Sequence, residues 1–268
     1  MIRRPSRRVW LGSAVAVWAV LLLVLAVWSA QHGRPTVREQ TTIVQALPVV
    51  DRAIAAVVTA ASGDEVVVSV TGFGRTRARC AAGNRDGESY SRVAMLYTRP
   101  GTEGALVERI AKALPGSYDV GVRHAGDLHS LHGDAGFYVK LAGTTVGAGE
   151  LRFSADTGCR VPGGDVPGDP AVDDAPAALR TAAEAAVGRV GAVPAERKAF
   201  HLKCPDGGTA WTVEVSGGGA TVLDGARPDA ATEVIGREKV AAYRDGGTGV
   251  ALRLRDDRVV ATAGTGCA

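Results

Sequence analysis

Five side chains able to bind a metal or move a proton lie within one eleven-residue run, HAGDLHSLHGD. They are His124, Asp127, His129, His132 and Asp134, and the run holds three of the chain's five histidines. Neutral imidazole and carboxylate suit zinc, copper, nickel or iron, and a metal-bound water would serve a hydrolase. The candidate ligands are His124, His129, His132 and Asp127. Their spacing, H-x4-H-x2-H, matches no signature such as H-E-x-x-H. Gly126, Gly133 and Gly136 read as turn residues, so a polar hairpin loop with solvated histidines accounts for the same letters.

The other candidates are cysteines and arginines. Cys80, Cys159, Cys204 and Cys267 are the only cysteines. Metal-binding cysteines usually come in pairs two to four residues apart, and these are far more widely spaced. Disulfides fit better, and three pairings are open. Arg75, Arg77 and Arg79 alternate along one strand face, with Arg92 and Arg99 close in sequence. Such a face could meet anionic lipid or a wall polymer; it could also be a solvated strand edge. Gly72-Phe73-Gly74 lacks the third glycine and the helix of a dinucleotide site. Asp156-Thr157-Gly158 resembles the catalytic loop of aspartic proteases over three residues. Its counterpart Gly264-Thr265-Gly266 has no second aspartate to share a proton, so that chemistry is not expected. No G-x-S-x-G elbow, S-x-x-K or P-loop occurs.

The elements that must position these residues can be read from periodicity. Ile43, Leu47, Val50, Ile54, Val57 and Ala61 step by three or four, which predicts an amphipathic helix kinked or started at Pro48. Leu179, Ala183, Ala186 and Val190 predict a second helix, capped by Asp173 or Asp174 with Pro176 in its first turn. Each helix precedes a strand ending in cysteine. Thr76, Ala78 and Cys80 share a face, as do Phe200, Leu202 and Cys204 with His201 and Lys203 outward. Further strands are expected at Tyr90–Tyr97 and Trp211–Val215. Then comes a helix after Thr102 using Leu106, Ile110 and Ala113, and a shorter one around Ala230–Ile235. Two final strands, LRFSADTGC and VVATAGTGC, carry Cys159 and Cys267. The parallel order implies an internal repeat with one staple per copy, Cys80–Cys159 and Cys204–Cys267. In that alignment the histidines ride on a loop insertion of the first copy, where the second has only RDGGTG.

Charge and hydropathy place the chain. Arg3, Arg4, Arg7 and Arg8 precede an uncharged apolar run from Val9 to Trp28. Twenty helical residues reach about 30 Å, the thickness of a hydrocarbon core. With the arginines on the cytoplasmic side, everything after the run is extracytoplasmic. A cleavable signal peptide, cut after Val27-Trp28-Ser29, is the alternative; its apolar region is normally shorter. Residues 1–30 hold four basic and no acidic residues, 31–160 hold 15 and 13, and 161–268 hold 12 and 15. The basic balance therefore belongs to the N-terminus, and nucleic-acid binding is not expected. The bias toward Ala, Gly, Val and Arg suits a GC-rich bacterial genome.

The expected fold is α+β. Residues 1–8 form a cytoplasmic tail, 9–30 a transmembrane signal-anchor and 31–40 a stalk. Residues 41–160 and 177–268 form two similar small domains, joined by the proline-, glycine- and aspartate-rich linker 161–176. Each domain is an antiparallel sheet with helices on one face and one disulfide, unless the two sheets merge. The expected function is non-catalytic: a cell-membrane-anchored binding or envelope-assembly module with no cofactor. Its partners would be the lipid bilayer and an envelope protein, lipid or wall polymer. Two alternatives stand beside it, a metal-dependent hydrolase built on the histidine loop and a membrane sensor acting through a partner.

Overall fold

The computed structural model describes residues 7–32, 41–82, 85–256 and 258–267. The expected tail up to residue 6 and the stalk segment 33–40 lie outside the described residues. The fold is α+β, with two antiparallel sheets, four α-helices among the described residues, and two disulfides.

Helix α1 (Arg7–His32) has 26 residues, enough for about 39 Å. Its residues 16–29 are all exposed, and Trp18, Leu23 and Trp28 show 64%, 68% and 59% of their surface. Among the described residues, helix α2 (Ile43–Ala61) is long and apolar enough to cross a membrane by length and composition, while the apolar stretch described in α1, Ala16–Ser29, is shorter. Helix α2 is instead a core helix: Ile43, Leu47, Val50, Ile54, Val57 and Ala61 are buried, as the periodicity predicts. The Thr42 hydroxyl accepts from Gln45 N and the Gln45 side chain accepts from Thr42 N, a capping box. The linker completes this end, since Ile43 N donates to Val161 O at 2.9 Å. Pro48 lies inside the helix on an exposed position, where its missing N–H costs least.

The first sheet is built from β1 (Val67–Val70), β2 (Gly74–Ala82), β3 (Arg85–Tyr97), β4 (Gly121–Ala125), β5 (Leu128–Asp134), β6 (Lys140–Gly147) and β7 (Glu150–Asp156). Its order is β1-β3-β7-β6-β5-β4, with β2 also on β3. Both β1 and β2 occupy the edge of β3 opposite β7, one beyond the other. The second sheet holds β8 (Val193–Lys203), β9 (Thr209–Gly218), β10 (Thr232–Arg237), β11 (Val240–Asp245), β12 (Thr248–Arg255) and β13 (Arg258–Gly264). Its order is β10-β11-β12-β13-β9-β8. From β2 and from β8, the strands of each sheet run in the same spatial order: first, second, sixth, fifth, fourth, third.

Helix α2 packs on β3 and β7 beside helix α3 (Glu103–Ala113); helix α4 (Ala177–Arg189) packs on β8, β9, β12 and β13. The sheets remain separate, yet they share a core. Leu202, Cys204, Ala210 and Cys267 belong to the same apolar cluster as α2 and β3. Strand β1 lies against the second sheet, where Val70 N donates to Thr212 Oγ1 across 3.0 Å. A side chain at Gly264 would meet Val68 O at 2.8 Å, so this close approach requires glycine.

Several expected details differ. The segment Ala230–Ile235 is not helical; strand β10 runs there, with a bulge between Glu233 and Ile235. Helix α4 begins after Pro176 and has no side-chain cap; Asp173 instead pairs with Arg180 at 2.7 Å, and Val190 is its C-cap residue. Thr102 makes no side-chain cap to α3, and Leu114 rather than Ala113 completes its buried face. Both disulfides pair as the repeat order predicts, Cys80–Cys159 and Cys204–Cys267.

Candidate functional site

Strand alternation builds a groove where the outer faces of the two sheets meet. On β3, Ala94 and Leu96 face the helices, so Met95 and Tyr97 face away from them. On β12, Val250, Leu252 and Leu254 pack toward α4, which turns Ala251, Arg253 and Arg255 the other way. Arg152 of β7 and Glu214 of β9 complete the polar lining of a cavity of about 390 Å³. Arg152, Arg255 and Glu214 form no ion pair with described residues. That volume lies within the usual range for small-ligand sites, which concentrate at such junctions.

One buried carboxylate clamps the rim. Glu150 on β7 has a side chain only 4% exposed, and it accepts hydrogen bonds from Arg237 of β10 and Arg253 of β12. The Arg253 Nε also reaches Tyr97 Oη at 3.4 Å. Arg92 forms a second cross-link. Its guanidinium meets Asp51 of α2 at 2.6 Å, Thr71 O at 2.8 Å, and the carbonyl of His201 on β8.

The histidines are placed differently from expectation. They lie on strands β4 and β5, which hold the same places in the first sheet as β10 and β11 in the second, so they are not on a loop insertion. What the first half adds is β1, ahead of the shared series, and α3, between the second and third strands of that series. His124 and His129 are cross-strand partners, with Nδ1 atoms 2.7 Å apart. His124 Nε2 lies 2.8 Å from Glu108 Oε1 of α3. Both contacts are satisfied when His129 Nδ1–H donates to His124 Nδ1 and His124 Nε2–H donates to Glu108. Two nitrogens on one zinc would stand about 3.3 Å apart, farther than these. His132 is on the opposite face of β5, with its ring over Gly121. Asp127 is at the hairpin turn, and Asp134 accepts from Gly136 N at 2.8 Å. Among the described residues, no group of three or more His, Cys, Asp or Glu converges to hold a metal.

The arginine strand β2 is an edge ribbon. Two register irregularities, between Arg75 and Arg77 and between Arg77 and Cys80, break its alternation. Thr76 and Ala78 are therefore exposed along with Arg75, Arg77 and Arg79, contrary to the expected apolar face. Arg75 is committed locally: it donates to Tyr90 Oη at 3.1 Å and pairs with Glu88 at 3.4 Å. The tyrosine hydrogen bond, then the Glu88 charge, hold its guanidinium above the usual pKa. The side chains of Arg77 and Arg79 make no ion pair or hydrogen bond with described residues.

The groove and the buried Arg160 are absent from the sequence reading, and Arg92 enters it only as a neighbour of the arginine face, not as a buried cross-link. Their one-dimensional signal, a charge alternating with apolar residues, is the same as that of a solvated strand face. The sequence matches no protein-family model, and no curated protein is detectably similar to it.

Proposed function

We propose that this chain is a membrane-anchored extracytoplasmic binding module, whose two copies of one α+β unit hold an anionic envelope component between them. The observation that carries this reading is the groove, lined by both sheets and richer in arginine than in carboxylate. Anchoring rests on α1, an exposed apolar helix whose sequence is flanked by Arg3, Arg4, Arg7 and Arg8; residues 9–30 would span the bilayer and leave the N-terminus cytoplasmic. The two disulfides favour an oxidising compartment for residues 41–268. The shared strand order favours duplication over chance. A hydrolase using the four candidate ligands would need His132 to join His124 and His129, and His132 stands on the opposite face of β5.

Native mass spectrometry of the full chain in detergent tests the proposal. The expected result is an adduct of an anionic envelope molecule, lost when Arg152 and Arg255 are both changed to glutamate. A stoichiometric metal lost on His129→Ala would overturn it in favour of the hydrolase.

A further inference from the structure

Both observations below concern the end of the body nearest the anchor, and the inference rests on the anchored reading above. Residues 33–40 connect α1 to Thr41, and eight residues span at most about 30 Å. Arg160 is fully buried beside that point. Its guanidinium donates to Thr41 Oγ1, Thr157 O and Phe137 O. One side chain thus fixes the turn containing Phe137 next to the entry of the tether.

That turn holds its aromatics outward at a cost. Phe137 and Tyr138 both have left-handed backbones, with φ of 53° and 60°. A left-handed backbone is unfavourable for any non-glycine residue, because Cβ crowds the following carbonyl oxygen. Yet the rings gain little burial, being 56% and 47% exposed. Aromatic rings in such positions suit the headgroup layer of a bilayer.

The second observation is charge. Cys159 precedes Arg160, and its disulfide brings Cys80 of β2 to a Cα separation of 6.0 Å. The ribbon bearing Arg77 and Arg79 is therefore stapled beside the same turn. Glu88 is engaged by Arg75, and over residues 75–88 four arginines stand against Asp86 and Glu88.

We propose that this end of the body docks on anionic lipid headgroups, with Arg77 and Arg79 meeting phosphates while Phe137 and Tyr138 enter the headgroup layer. Docking would set the body against the bilayer rather than leave it loose on its tether. Two arginines correspond to roughly a thirtyfold change in the docked-to-undocked ratio, weakened by salt.

The test is hydrogen exchange on the full chain in nanodiscs of phosphatidylcholine alone or with phosphatidylglycerol. The expected result is slower exchange at 75–82 and 135–139 in the anionic discs only. Arg77→Glu with Arg79→Glu should abolish it, Arg77→Lys with Arg79→Lys should keep it, and Phe137→Asn with Tyr138→Asn should weaken it. A chain that enters the discs but exchanges identically in both lipids overturns docking and leaves the anchor standing. Failure to enter the discs overturns the anchor. Protection that appears only on adding a cell-wall polymer assigns the ribbon to that polymer and overturns the lipid proposal.

Discussion

Glu150 shows how much a single residue carries here. Its carboxylate is buried between Arg237 and Arg253, whose side chains are 38% and 28% exposed. Glu150→Gln leaves two cations facing each other; allowing for their solvent contact, it should cost about 2–3 kcal/mol in urea denaturation. A loss below about 0.5 kcal/mol would mean that the clamp is not energetically coupled. Tyr243 gives a pH-dependent counterpart. Burial raises its pKa, while Arg189, donating at 3.3 Å, pulls it back. In the unfolded chain the phenol ionises near about 10, before it does in the folded state. Its stabilising contribution is therefore complete below that pH and is lost as pH rises through the folded value. Tyr243→Phe should flatten the fall in melting temperature above about pH 10. Residues of this kind were illegible in the sequence. Glu150 and Arg253 each stand on a strand whose neighbours alternate apolar and polar, and only the packing of one sheet on the other buries them.

Elements were more legible where period and partner agree. Helix α2 could be read because its stripe is buried along its whole length, Ile43 and Leu47 against Tyr90 and the later residues in the main core. Strand β10 was misread because its bulge places Val234 and Ile235, adjacent in sequence, both in the interior at 5% and 2% exposure. That removes the period-two signal and leaves an apolar pair that suits a helix. The ribbon β2 was misread for the same reason, since its irregularities undo the expected faces. Gly264 on β13 tests how tightly the elements fit. A Cβ there meets backbone oxygens of Val68 at 2.8 Å and Trp211 at 3.0 Å. Gly264→Val should cost roughly 1–3 kcal/mol of overpacking, read as a lower melting temperature. The staples should differ as well. Cys204 and Cys267 are buried at 7% and 5%, whereas Cys80 and Cys159 are half-buried beside the exposed ribbon. Mild thiol followed by alkylation and mass spectrometry should label Cys80 and Cys159 first.

At the scale of the whole molecule, sequence order revealed a matched series of elements but not how the halves meet. The segment 161–176 reads as a spacer, yet Val161 O completes the cap of α2 and Ala175 is buried in the core of the second sheet. Contacts between residues more than a hundred positions apart, such as Val70 with Thr212 and Arg92 with His201, have no local signature. They make the body one cooperative unit, so the full chain should unfold with its two sheets in a single transition. The central claim is that α1 holds this body outside the membrane. Protease protection on sealed membrane vesicles tests it most directly, with immunoblotting for the body. In right-side-out vesicles the account predicts that added protease reaches the body, while in inverted vesicles the body is protected until detergent is added. A body digested only in inverted vesicles, or released from the membrane by alkaline carbonate, would contradict it.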